Sequence, residues 1–273
     1  ITDPELVLNG DFEELGDEEV TNGTFDTDSD WTLGSGWSIS DGKVTSIGSN
    51  FAEQIKQTIL QTNKIYKLSF DIVDYTSGNI ALESVYYGVT QTFNGIGSYV
   101  AYFTSLSQTE FRLYSQNFVG SIDNVSVQQV NVDSEGNDIW TLDTGWSIED
   151  GVAKFNDTIA STDAVLRQDN LTLTNGNTYE LSFNVNNTSG TGEIKFQATG
   201  GGTDTIKGYE VYSGLNTLYF TPTANRTTLK IFGRDTYGSF SIDNISVKDI
   251  TFSTDVDLAR INYDSNGENG HIL

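Results

Sequence analysis

The sequence predicts an all-β protein of two tandem antiparallel β-sandwich (jelly-roll) domains, and composition, strand alternation and an internal repeat each point there. Gly is counted 27 times, Tyr 13 and Phe 15 against 2 Pro, a mixture that suits many short strands joined by tight turns. Apolar residues nowhere recur at helical spacing over three turns. Alternation is clear instead. Tyr66, Leu68, Phe70 and Ile72 share one strand face with Lys67, Ser69 and Asp71 opposite, and Tyr179, Leu181, Phe183 and Val185 repeat the pattern. Turn pairs at Ser77-Gly78, Asn94-Gly95, Asn175-Gly176 and Ser189-Gly190 divide the remainder into short strands.

The repeat sets the number of domains. Trp31-Thr32-Leu33 followed by Gly36-Trp37-Ser38-Ile39 returns as Trp140-Thr141-Leu142 followed by Gly145-Trp146-Ser147-Ile148, a shift of 109 residues. The Tyr66–Ile72 strand returns at Tyr179–Val185, shifted by 113, and Ile122-Asp123-Asn124-Val125 returns as Ile242-Asp243-Asn244-Ile245, shifted by 120. A period of that size is a whole sandwich rather than a solenoid unit. The copies are expected at 18–130 and 131–250, with 251–273 as a linker or tail. Residues 1–17 stand outside them, although Leu8-Asn9-Gly10-Asp11-Phe12-Glu13 echoes Thr21-Asn22-Gly23-Thr24-Phe25-Asp26. That echo reads as a duplicated first strand or as the stub of a preceding module.

Charge and rare residues exclude several functions. With 14 Lys and Arg against 38 Asp and Glu, the formal net charge is −24, which repels phosphate backbones and argues against a nucleic-acid partner. No run approaches the roughly 20 apolar residues of a membrane-spanning helix, so no membrane insertion is expected. There is no Cys and one His, His271, which removes disulfides, thiolate sites and histidine triads. The sequence starts at Ile1 without a leader pattern and is expected to be a mature or excised piece of something longer. Two carboxylates suffice for a glycosidase, but sandwiches of this size with short loops offer no deep cleft, and the expectation is a non-catalytic protein.

Two sets of residues are candidates for a site. In a jelly roll the first and last strands lie side by side, which puts Asp26 next to Asp123 among backbone carbonyls, as calcium requires. The 109-residue shift takes Asn22 to Asn131 and Asp26 to Glu135, so Glu135 and Asp243 form the matching pair, although Gly23 and Phe25 become Val132 and Ser134. The same motifs also suit simple turns whose aspartates bond only to their own loops. The second set faces away from the core: Arg112 and Tyr114 alternate with Phe111 and Leu113, Lys230 and Phe232 alternate with Leu229 and Ile231, and Tyr86 and Tyr87 are adjacent, so that both cannot enter one core. Such aromatics and cations suit the flat C–H faces and hydroxyls of sugars. Trp31, Trp37, Trp140 and Trp146 are kept by both copies, and core packing and ligand contact both account for them.

Together the opening Asn-Gly-x-Phe-Asp/Glu, the Trp and Gly-Trp pair, the Tyr-x-Leu-Ser-Phe strand and the closing Ile-Asp-Asn-Val/Ile-Ser-Val resemble carbohydrate-binding modules of the galactose-binding-like jelly-roll superfamily. The likeness is to those attached to xylanases and glucanases and to relatives in bacterial surface proteins and phage virions, and it covers about 20–250. It implies glycan or polysaccharide binding, and it matches Asp26 with Asp123, and Glu135 with Asp243, to positions that supply oxygens to a structural Ca2+. The tail from Asp257 to Tyr263 resembles a segment leading into lectin-like domains of bacteriophage tail and fibre proteins. The resemblance places the chain outside the cell, secreted or on a virion surface, with other virion or surface-fibre subunits as further partners. A spacer or decoration module that has lost its sugar site is the competing reading, because fold does not imply function.

Overall fold

The computed structural model describes residues 4–48, 54–83, 90–133, 137–159, 163–187, 195–207, 213–233, 238–251, 261–263 and 270–272. Every regular element among them is a strand, and the expected all-β class stands.

The first sandwich is built from β1 (Leu15–Glu18), β2 (Thr32–Leu33), β3 (Trp37–Ser40), β4 (Lys43–Ile47), β5 (Gln54–Thr58), β6 (Ile65–Glu83), β7 (Thr90–Phe93), β8 (Gly97–Thr104) and β9 (Glu110–Val130). All its pairings are antiparallel. The long strands β6 and β9 serve both layers. Their outer portions, Tyr66–Ile72 and Ile122–Gln129, pair with each other; β8 flanks β6 on one side, and β4 and β3 follow β9 on the other. Their remaining portions, Ile80–Leu82 and Leu113–Ser115, pair again in the second layer, with β7 beside β6 and β5 then β2 beside β9. Gly78 lies at the bend in β6: its φ is +77°, and a Cβ there would stand 2.1 Å from the Asn117 carbonyl oxygen.

The second sandwich repeats this plan with β10 (Thr141–Leu142), β11 (Trp146–Glu149), β12 (Val152–Phe155), β13 (Ala164–Gln168), β14 (Tyr179–Asn187), β15 (Lys195–Thr199), β16 (Thr203–Lys207), β17 (Gly214–Phe220), β18 (Thr228–Gly233) and β19 (Phe240–Asp249). One sheet has the order β11-β12-β19-β14-β17 and the other β10-β13-β18-β15-β16. These match β3-β4-β9-β6-β8 and β2-β5-β9-β6-β7 of the first sandwich. Beyond them, β20 (Ile261–Tyr263) pairs with β21 (Gly270–Ile272) as a short antiparallel ribbon.

Each sandwich has its own core. Val44, Ile55, Tyr66, Leu68, Phe70, Leu113, Phe118 and Ile122 fill the first; Trp140, Trp146, Phe155, Leu166, Leu181, Phe183, Phe196 and Ile231 fill the second. Three of the four tryptophans, Trp37, Trp140 and Trp146, are buried. The fourth, Trp31, is half-buried against Phe25 and Phe111. Core packing therefore accounts for their retention in both copies.

The N-terminal segment completes the second core rather than the first. Val7 and Phe12 are buried there, Phe12 sits 5.4 Å from Trp140 between ring centroids, and the Ile245 amide donates to the Gly10 carbonyl at 2.9 Å. The motif just before the first sandwich does the same locally: Phe25 lies 5.3 Å from Trp31, and the Val125 amide donates to Gly23 O at 2.9 Å. Both Phe residues have left-handed φ, +55° and +51°, and their amides donate back to Asn9 O and Asn22 O. The tight turn needs its glycine for closeness: a Cβ on Gly10 or Gly23 would fall 1.9 or 2.0 Å from the carbonyl oxygen of Ile245 or Val125. Supporting contacts match as well. Gln57 exchanges hydrogen bonds with the Thr21 backbone as Gln168 does with Leu8. Glu18 accepts from Ser126 and Val127 as Glu5 does from Ser246 and Val247.

The opening strand of the second sandwich thus comes from residues 5–13, and the first sandwich is inserted after it in the chain. The 109-residue shift placed that opening at 131–135; the structure gives its role to Asn9-Gly10-Asp11-Phe12-Glu13. Asn131 is buried in a different task, exchanging hydrogen bonds with the Trp140 backbone at 2.7 and 2.9 Å. The two sandwiches also touch directly, through the Lys64–Asp138 ion pair at 2.7 Å and through Ile65 and Tyr102 packed on the second core.

Candidate functional site

The outward face of the β2-β5-β9-β6-β7 sheet follows from strand alternation. Phe111, Leu113 and Ser115 of β9 point inward and are buried; Arg112 and Tyr114 point outward and are half-buried. Register brings Lys56 opposite Arg112, and Gln54 opposite Tyr114, with Thr32 beyond Lys56 and Ala81 on the far side of Tyr114. The expected Arg112–Tyr114 pair is therefore one surface, and the two side chains are joined: Arg112 Nη1 donates to the Tyr114 hydroxyl at 3.3 Å.

Glu110 pairs both cations of this face. It accepts Lys56 Nζ at 2.8 Å on one oxygen and Arg112 Nε at 3.0 Å on the other, with Arg112 Nη2 closer still. Hydrogen bonds from Lys56 and then Arg112 hold the Glu110 carboxyl below the usual carboxylate range, and the same contact raises the Arg112 guanidinium.

The second sandwich presents the equivalent face on β10-β13-β18-β15-β16. Leu166, Leu229, Ile231 and Phe196 are buried inward. Lys230 lies directly opposite Arg167, and Phe232 opposite Val165. Lys230 and Phe232, expected together, occupy the positions of Arg112 and Tyr114. The carboxylate differs. Thr228 stands where the first sandwich has Glu110, and the acid is Asp169, just past β13, which meets Arg167 Nε at 3.3 Å and accepts Thr228 Oγ1 at 2.7 Å. Tyr86 and Tyr87 lie outside the described residues.

The Gly23–Val125 hydrogen bond brings the expected opening and closing motifs of the first sandwich together, whereas in the second the Gly10–Ile245 hydrogen bond joins the closing motif to residues 9–13 in place of 131–135. Asp26 is exposed and accepts Thr24 Oγ1 at 2.8 Å; Asp123 accepts its neighbouring Asn124 amide at 2.7 Å. Glu135 lies outside the described residues. The acids facing Asp243 are Asp11 and Glu13, because residues 9–13 hold the opening turn. Burial, followed by the charges of Asp11 and Glu13, raises the Asp243 carboxyl against the pull of the Asn244 amide. Among the described residues, no three His, Cys, Asp or Glu side chains gather as metal ligands. A cation at either place would draw on backbone carbonyls, and Asn22 O and Gly23 O already accept N–H groups.

Larger hollows lie elsewhere, one of them reaching the β10 edge of the second face at Thr141. One of about 470 Å3 runs between the sandwiches past Lys64, Asn131, Asp138 and Trp140. Another of about 600 Å3 lies over β11, β12 and β19 beside Glu149, Lys154 and Ser241. Sequence reasoning found neither, since both are made by surfaces from distant parts of the chain.

No protein-family model and no curated protein matches the chain. Among solved structures it is similar to the N-terminal tandem CBM22-1–CBM22-2 domain from Paenibacillus barcinonensis, at 10% identity over 86% of this chain and 98% of that one, with a TM-score of 0.35. A family 29 carbohydrate-binding module is similar over 43% of this chain and 89% of its own, at 11% identity and a TM-score of 0.32. The Sulfolobus turreted icosahedral virus structure is similar over 84% of this chain and 61% of its own, at 12% identity and a TM-score of 0.22. The neighbours of this two-sandwich chain include tandem and single carbohydrate-binding modules, an allantoicase and a virus structure.

Proposed function

We propose that this chain binds glycan without transforming it, using the outward face of one sheet in each sandwich. The observation that carries the reading is the repeated cation–aromatic pair: Arg112 and Tyr114 beside Lys56, and Lys230 and Phe232 beside Arg167, at matching registers. Residues two apart on a strand share a face at roughly 7 Å, so an aromatic ring stacks on a sugar's C–H face while the neighbouring donors reach its hydroxyls. Gln54 and Gln197 stand beside the aromatic and the cation respectively and add amide donors and acceptors. Two weak sites on one chain gain avidity on a polymer.

A structural calcium at the Asp26–Asp123 position and at its counterpart by Asp243 belongs to the same proposal, supported by the meeting of opening and closing turns that brings carboxylates and backbone carbonyls together. An acid-rich surface supports work outside the cell or on a virion, within a larger protein.

The test is binding of the chain to plant, algal and bacterial-envelope glycans, in calcium and in chelator, with Tyr114→Ala and Phe232→Ala. Each substitution is expected to weaken binding roughly tenfold, about 1.4 kcal/mol, and the double variant to abolish it. No binding to any glycan, with calcium still raising the melting temperature, would instead support a spacer or decoration module of a fibre.

A further inference from the structure

The two faces carry the same count of cations and acids but pair them differently, and the difference specifies the ligand. Across the second sandwich one row of residues spans all five strands: Thr141 opposite Arg167, Arg167 opposite Lys230, Lys230 opposite Gln197, and Gln197 opposite Thr205. The row contains two cations side by side and no carboxylate. Like charges directly opposite on a sheet are destabilising, and in a chain of net charge −24 acids to separate them are plentiful.

The first sandwich has such an acid. Glu110 bridges Lys56 and Arg112 at the matching positions. In the second, Thr228 replaces it, and of the two cations Asp169 pairs with Arg167 alone, through side chains that are 44% and 46% exposed. No ion pair joins Lys230 to any described carboxylate. An exposed pair of that kind contributes little and is readily exchanged for another anion.

Resting on the glycan-binding reading, we propose that the second face takes an anionic saccharide, one bearing carboxylate or sulfate groups, while the first takes a neutral one. Arg167 supplies a planar fork suited to a carboxylate or sulfate. Lys230 supplies a second charge across the strand pair. Phe232, two residues along the strand from Lys230, offers the ring for the sugar face, and Gln197 contacts the adjoining hydroxyls. The acidic remainder of the molecule opposes polyanions at long range, so any such binding is confined to this row and depends on it.

The experiment is calorimetric titration of the full chain with four probes: hexagalacturonate, its methyl ester, a sulfated galactan hexasaccharide and cellohexaose. The expected result is that one or both anionic probes bind at least tenfold more tightly than the methyl ester. The two anionic arms separate carboxylate from sulfate recognition. Arg167→Ala and Lys230→Ala should each lower anionic binding about tenfold, whereas Lys154→Ala, on the other sheet of the second sandwich, should leave anionic and cellohexaose binding intact. Equal affinity for the acid and its ester with no binding of the sulfated probe, or anionic binding untouched by Arg167→Ala and Lys230→Ala, would overturn the proposal and leave glycan binding standing. No binding of any probe would overturn both.

Discussion

The first sandwich finds its opening strand next door in the chain, whereas the second collects its own from the far side of an inserted domain. Yet the two turns share their main bonds, from the Trp31–Asn22 and Trp140–Asn9 hydrogen bonds, each 3.0 Å, to the paired glutamines. A sandwich needs its first strand for closure and is indifferent to where the chain supplies it. The same pair of domains diverges where no packing demand holds it: Glu110 locks one outward face and Thr228 leaves the other open.

The largest expected effect tests the inserted arrangement. Phe12→Ala removes a side chain only 2% exposed from the second core, a change that costs about 3–5 kcal/mol. Calorimetry should show the second sandwich's transition falling while the first holds its place, and Phe25→Ala should do the reverse. If Phe12→Ala lowers the first transition instead, the assignment of residues 5–13 fails.

A second prediction concerns acid. Arg226 and Thr223 hold the Asp204 carboxyl down to about 2, through Arg226 Nε at 2.8 Å and Thr223 Oγ1 at 2.6 Å. Because its folded value lies below the unfolded one near 3.9, the stabilisation is complete above about pH 4 and is lost as pH falls toward 2. Melting of the second sandwich should therefore drop between pH 4 and 2, and Asp204→Asn should flatten that slope while lowering stability at neutral pH. An unchanged slope in the variant would remove Asp204 from the account.

A smaller effect sharpens the contrast between the faces. Glu110→Thr installs what the second sandwich carries, and loss of these partly exposed ion pairs should cost less than about 1 kcal/mol. It should give the first face an affinity for hexagalacturonate that the native chain lacks there, read in an Arg167→Ala, Lys230→Ala background. Smallest of all, Lys64→Ala breaks an exposed bridge between the sandwiches and should move neither melting transition by more than a degree or two.

Much of this was legible in the sequence. Alternation in Tyr66–Ile72 and its repeat at Tyr179–Val185 yields strands because a pleated strand exposes its faces by turns, and the same rule put Arg112 with Tyr114 and Lys230 with Phe232. What alternation cannot supply is register, so the Lys56 arm of the Glu110–Arg112 bridge is invisible: Lys56 lies on β5 and the other two on β9. The origin of the second opening strand was missed for a different reason. A fixed shift from the Trp31 block leads to Glu135, while the signal is two Asn-Gly-x-Phe turns in succession before one sandwich body, which in sequence suit a duplicated first strand or the stub of a preceding module equally well. Two openings ahead of two bodies is what insertion looks like in one dimension.

That arrangement reverses the order of synthesis and assembly. Residues 5–13 leave the ribosome before either sandwich body and are used only after β19 has been made. At translation rates of 5–20 residues per second, the strand waits on the order of ten to fifty seconds. Throughout that wait Val7 and Phe12 have no core of their own, and the only closing strand yet made is β9, which accepts the nearly identical Val20 and Phe25. The first sandwich must therefore prefer its own opening strand kinetically, and the short span from Glu14 to Glu18, with β1 already paired to β9 at Leu15 and Glu18, gives that strand the advantage of proximity.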